Sequence, residues 1–149
     1  MRSDPAALWH RLPKDFERQL DWAVDQGFNA FHFDDGYDDV LRAADALDER
    51  HLVGTFFIVP GWLGLEGHTT FSDVRELEKR GHVIGNHTAH HVWMPKVSPV
   101  VQAHEWELAE LLLWGQGIRQ ETFPRAWPYG LAGIGEARGI SPREVRPFR

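Results

Sequence analysis

Residues 52–59 read Leu-Val-Gly-Thr-Phe-Phe-Ile-Val, a run that is β-branched and aromatic and almost wholly apolar. A strand with apolar side chains on both faces must be covered on both, and that is how strands of parallel α/β sheets read. Pro60-Gly61 ends the run. The segments around it alternate in kind. Phe16, Leu20, Ala23 and Val24 recur at helical spacing and predict a helix over 14–26, which Gly27 can close. A short apolar strand over 28–33 follows, then a helix marked by Val40, Ala44 and Leu47. Thr70 and Asp73 have capping-box spacing ahead of a helix over 72–80, with Gly81 as its stop and a strand over 82–85 beyond it. Helix and strand in strict alternation are βα units. A chain of 149 residues holds one such domain, so 1–149 is read as a single unit.

Chemistry belongs at the carboxyl ends of strands in such folds. The 28–33 strand runs into Asp34-Asp35-Gly36-Tyr37. Adjacent strand residues point to opposite sides, so two neighbouring carboxylates are free to take different tasks, one on a metal and one on a proton. The 82–85 strand runs into Asn86-His87-Thr88-Ala89-His90-His91. A helical turn there would put His87 and His91 on one side, with His87 and His90 as the competing pair. Either stretch alone is an ordinary polar loop. The chain has no cysteine, so any metal must be held by imidazole and carboxylate. Two imidazoles and one carboxylate are a frequent catalytic donor set that leaves positions open for water and substrate.

Other classes are disfavoured. A net charge of -6 and the lack of a Lys/Arg run argue against nucleic acid as partner. No segment is long enough to span a bilayer, and residues 1–10 lack the apolar core of a signal peptide, so a cytoplasmic location is the default expectation. Trp62, Leu63 and Leu65 in the 60–70 loop are expected to pack locally over the mouth of the fold. A helix over 98–114 is expected to turn Leu108, Leu111 and Leu112 inward, and an edge strand over 122–127 to leave backbone groups open to pairing with a second copy.

Taken together, Phe33-Asp34-Asp35-Gly36-Tyr37, then Arg80-Gly81-His82-Val83-Ile84-Gly85-Asn86-His87-Thr88-Ala89-His90-His91, then Ala126-Trp127-Pro128-Tyr129-Gly130 resemble three motifs of the polysaccharide deacetylase family. These are metal-dependent carbohydrate esterases that include the chitooligosaccharide deacetylases. The resemblance implies a partial or truncated (β/α) barrel of that type. It implies hydrolysis of a non-peptide carbon–nitrogen bond, with acetate released from an N-acetylated carbohydrate. It assigns Asp34 as general base, Asp35, His87 and His91 as ligands of a divalent ion (zinc, with cobalt or nickel as alternatives), and Tyr129 as the residue whose backbone N–H helps hold the oxyanion. His90 falls on a position that is not a ligand.

The chain departs from the family pattern at three points. His32 stands where the family has threonine, and core packing is its expected role. The motif's arginine aligns with Ala126, while Arg125 lies one residue earlier, on the other face of an extended segment. The family's later motif, Leu-any-Leu-His with its acid histidine, has no counterpart, and the last histidine is His104. Residues 131–149, rich in glycine and arginine, read as an irregular tail. The alternative to a deacetylase is therefore a shortened, catalytically weak or inactive relative that binds metal or carbohydrate.

Overall fold

The computed structural model describes residues 15–130. The tail expected over 131–149 lies outside them. Within them run helix α1 (Phe16–Asp25), strand β1 (Phe31–Phe33), α2 (Val40–Asp48), β2 (Gly54–Ile58), α3 (Phe71–Lys79), β3 (Val83–Asn86) and α4 (Pro99–Gly115). The strands form one parallel sheet in the order β1-β2-β3. No described helix is long and apolar enough to cross a membrane.

The apolar run keeps its predicted place. All of β2 is buried as the central strand. Phe56 and Ile58 face a core built from Val40, Ala44 and Leu47 of α2, Val74 and Leu77 of α3, Ile84 of β3 and Leu113 of α4. Thr70 caps α3 with both halves of the capping box: its hydroxyl accepts from Asp73 N–H, and the Asp73 carboxylate accepts from Thr70 N–H.

Several boundaries differ from expectation. Strand β1 begins only at Phe31, because Phe28 folds back on α1, its N–H donating to the Ala23 carbonyl. His32 is exposed, not part of the core. Its neighbours Phe31 and Phe33 pack against the helix-covered core, so alternation turns His32 to the opposite face, where it meets Phe57 edge-on at 5.6 Å. On α4 the buried residues are Gln102, Glu105, Trp106, Ala109 and Leu113, while Leu111 is 62% exposed. The inner face is thus rotated away from the expected leucines and carries two polar side chains.

The expected strand over 122–127 shrinks to a single parallel bridge between Asn86 and Arg125. Pro124 and Pro128 have no N–H to extend a ladder. Its bonds are Asn86 N–H to the Pro124 carbonyl and Ala126 N–H to the Asn86 carbonyl. Further back, the side-chain amide of Gln120 takes a strand's place beside Ile84, accepting from its N–H at 2.9 Å and donating to its carbonyl.

Candidate metal centre

Register places three loops side by side at one end of the sheet. Phe33 pairs with Phe56 and Ile58 with Asn86, so the segments after β1 and β3 leave the sheet next to the end of β2. The Asp34-Asp35-Gly36 turn is tight. Gly36 N–H donates to the Asp34 carbonyl, and Asp35 and Gly36 have φ of 73° and 77°. Glycine takes such angles freely and aspartate is among the few side chains that tolerate them. This twist directs the Asp35 carboxylate toward β3 and leaves Asp34 exposed.

His87 and His91 do meet, but without the expected helical turn. The segment after Asn86 is a loop with left-handed backbone at Thr88 (φ 68°) and His91 (φ 56°). Thr88 N–H donates to Asn86 Oδ1 and His91 N–H to Thr88 Oγ1, so Asn86 and Thr88 supply local support for His91. Nε2 of His87 and Nε2 of His91 lie 3.2 and 3.1 Å from the same oxygen, Asp35 Oδ1. Asp35, His87 and His91 are the group of donors among the described residues that could hold a metal, with ligand atoms within 4.8 Å of one another.

The chemistry of the donors fits a cation. Nδ1 of His87 is 3.0 Å from the carbonyl oxygen of Ala126. A carbonyl only accepts, so the neutral ring carries its proton on Nδ1 and presents a bare lone pair at Nε2. That lone pair faces a carboxylate oxygen. Two acceptors in that position repel unless positive charge sits between them, either a second proton or a metal ion. A histidine whose far nitrogen donates to a carbonyl is the usual arrangement of a metal ligand. Burial would raise the pKa of Asp35, but where the second proton is present the hydrogen bonds and charge of His87 and His91 outweigh it and hold the carboxyl well below the usual carboxylate range.

One contributor went unassigned in the sequence. Tyr37 donates its hydroxyl to Asp35 Oδ2 at 3.1 Å, occupying the carboxylate oxygen that the imidazoles do not use. Burial first, and the Asp35 charge second, push the phenol pKa up, so it remains a donor. A tyrosine two residues after Asp35 was the available signal.

Aromatic rings wall the cluster. Trp62 lies 4.8 Å from the His91 ring and 5.1 Å from His68, which stacks on Tyr37 at 5.2 Å. The 60–70 loop therefore lines the centre, and Leu65 at its tip is 55% exposed. Tyr129, 65% exposed at φ 59°, sets its ring 4.7 Å from His91. His90 is turned away from Asp35 and pairs with Glu105. Arg125 is bound to Glu110 at 3.0 Å and lies over the Trp106 ring.

Residues 23–133 match the profile of a family described as polysaccharide deacetylase. No curated protein sequence matches the chain. Among solved structures, the Streptococcus pyogenes deacetylase PplD in complex with acetate is similar with TM-score 0.75 at 21% identity, over 92% of this chain and 73% of that one. The polysaccharide deacetylase BC0361 from Bacillus cereus gives TM-score 0.68 at 20% identity, over 80% of this chain and 44% of that one. A family 4 acetyl xylan esterase from Clostridium thermocellum, in complex with a cobalt ion, gives TM-score 0.57 at 26% identity, over 71% of this chain and 51% of that one. The chain thus spans about half the length of the last two.

Proposed function

The chain belongs to the polysaccharide deacetylase family, and from that premise we propose that it hydrolyses acetamide groups on a carbohydrate, using one divalent ion held by Asp35, His87 and His91. The observation that carries the reading is His87 itself, its Nδ1 3.0 Å from a carbonyl that can only accept and its Nε2 3.2 Å from Asp35 Oδ1, a geometry that calls for a cation. A bound ion would lower the pKa of water to about 7 and polarise the acetyl carbonyl. Zinc suits two imidazoles and a carboxylate, as do cobalt and nickel; the Clostridium thermocellum esterase was solved with cobalt. Asp34, exposed beside the cluster, accepts the proton of the attacking water in this reading. The Tyr129 backbone N–H donates to the oxyanion that develops on the acetyl carbonyl.

The test is direct. The protein, stripped with chelator and reloaded with zinc, is expected to hold one ion per chain and to release acetate from N-acetylglucosamine oligomers. A protein that takes up zinc without releasing acetate would be the binding relative instead. One that takes up no zinc would remove the basis of the reading.

A further inference from the structure

Helix α4 buries a carboxylate that the proposed reaction does not use. Glu105 is 5% exposed. An ionised group at such depth is costly unless its oxygens are bonded. Both are, and to one residue. Oε2 accepts from the His90 backbone N–H at 2.9 Å, and Oε1 lies 2.9 Å from His90 Nδ1. The Glu105 backbone carbonyl accepts from Ala89 N–H at 3.1 Å. All three bonds fall on the two residues just before His91.

That stretch needs holding. Left-handed backbone is sterically disfavoured at a residue other than glycine, and Thr88 and His91 both adopt it. Such conformations persist only where surrounding contacts over-determine them. The stretch also contains two adjacent histidines, of which His91 meets Asp35 and His90 meets Glu105. We infer that Glu105 is a positioning residue of the metal centre. By gripping both the backbone and the ring of His90, it decides that His91 is the ligand and fixes where His91 Nε2 lies. The Glu105 carboxylate bonds to His90 and not to Asp35, His87 or His91, and an acceptor oxygen 2.9 Å from Nδ1 holds the His90 ring on α4. The inference rests on the proposed metal reading.

The test uses the whole chain with zinc and cobalt(II) as probes. Zinc affinity is read by competition with a chromogenic chelator, and the donor set by the visible spectrum of the cobalt-loaded protein. Glu105→Ala is expected to weaken zinc binding about tenfold or more, the range seen when partners behind metal ligands are removed, and to change the cobalt spectrum. Glu105→Gln keeps the shape and one acceptor for His90 N–H, but sets an amide NH2 against Nδ1–H. It is expected to show a smaller loss in the same direction, and it is the deciding variant if Glu105→Ala does not fold. Leu113→Ala, a fully buried α4 change in the hydrophobic core beside the sheet, should lower thermal stability with affinity and spectrum unchanged. Wild-type affinity and spectrum in both Glu105 variants would overturn the inference, as would an equal affinity loss in Leu113→Ala. Failure of the wild type to bind either ion would instead overturn the metal reading beneath it.

Discussion

His87 Nδ1 lies 3.0 Å from the carbonyl oxygen of Ala126, so the segment that ends in Pro128-Tyr129-Gly130 sets the tautomer of His87 on the loop after β3. The single bridge between Asn86 and Arg125 holds the two segments together. The second and third motifs therefore meet both through this contact and through the Ala126 N–H bond to the Asn86 carbonyl, and Asp35 brings the first motif to the second.

This geometry separates the histidines. His87→Ala removes a donor and is expected to abolish stoichiometric zinc by elemental analysis. His90→Ala should retain one ion per chain, with weakened affinity, because its ring faces Glu105 and not Asp35. Loss of the ion in His90→Ala with retention in His91→Ala would reverse the ligand assignment.

Tyr37→Phe deletes only the hydroxyl that donates to Asp35 Oδ2. The carboxylate then loses the bond that fixes its rotation. Zinc affinity is expected to fall about tenfold, at the low end for such partners, with the melting temperature of the stripped protein little changed. Chelator competition and a thermal melt read the two quantities separately.

The sequence made legible whatever rests on local or periodic causes. β2 was readable because a doubly covered strand is apolar throughout, and the α3 cap because Thr70 and Asp73 act on each other. The meeting of Asp35, His87 and His91 was legible from strand ends. Its means was not, since left-handed backbone at Thr88 and His91 leaves no glycine as a sign. On α4 the crowd of leucines hid the buried stripe. Gln102 and Glu105 lie inside because their partners, Met94, Val97 and His90, come from the preceding loop, which helical periodicity does not register. His32 was misjudged because nothing local says which face of a short edge strand is covered.

Gly61 closes the turn that carries Trp62 against His91. A Cβ there would lie 2.5 Å from the Ala89 carbonyl oxygen and 2.9 Å from His90 Cδ2, and Gly61 N–H already donates to that carbonyl. Gly61→Ala must push the 60–70 loop off the segment that carries Ala89 and His90. A loss of about 1–3 kcal/mol, as for other overpacked sites, is expected in denaturant unfolding.

His82 should make the fold sensitive to acid at the end of the sheet away from Asp35, His87 and His91. Burial, the largest influence, and Arg80 push its pKa below the ordinary 6.5, against the opposing pull of Asp48. Its Nδ1 accepts from Gly54 N–H, a bond that a doubly protonated ring cannot make. The unfolded chain therefore binds the proton more readily than the folded one. This contribution to stability is complete above 6.5 and is lost as pH falls from there through the folded-state pKa. Denaturant midpoints of the stripped protein should drop on acidification through that window. His82→Gln, which does not titrate, should show a shallower drop, and identical slopes would assign the acid sensitivity elsewhere.

Asp34 and Asp35 divide the work in the proposed reaction, and one substitution tests the division. Asp35 is drawn into the cluster by two imidazoles and Tyr37, whereas Asp34, one residue earlier, remains exposed and outside the converging donors. Asp34→Asn keeps the shape of the turn, since the Gly36 N–H bond goes to the Asp34 backbone carbonyl and not to its side chain. An asparagine amide does not take up a proton near neutrality, so water attack loses its base. Acetate release should fall by about two to four orders of magnitude, the range for losing acid–base help, while zinc content stays at one ion per chain. The drop should appear in kcat with little change in KM, because the lost interaction belongs to the transition state and not to substrate binding. If zinc disappears together with activity, Asp34 is a ligand and the roles of the two carboxylates are wrongly divided.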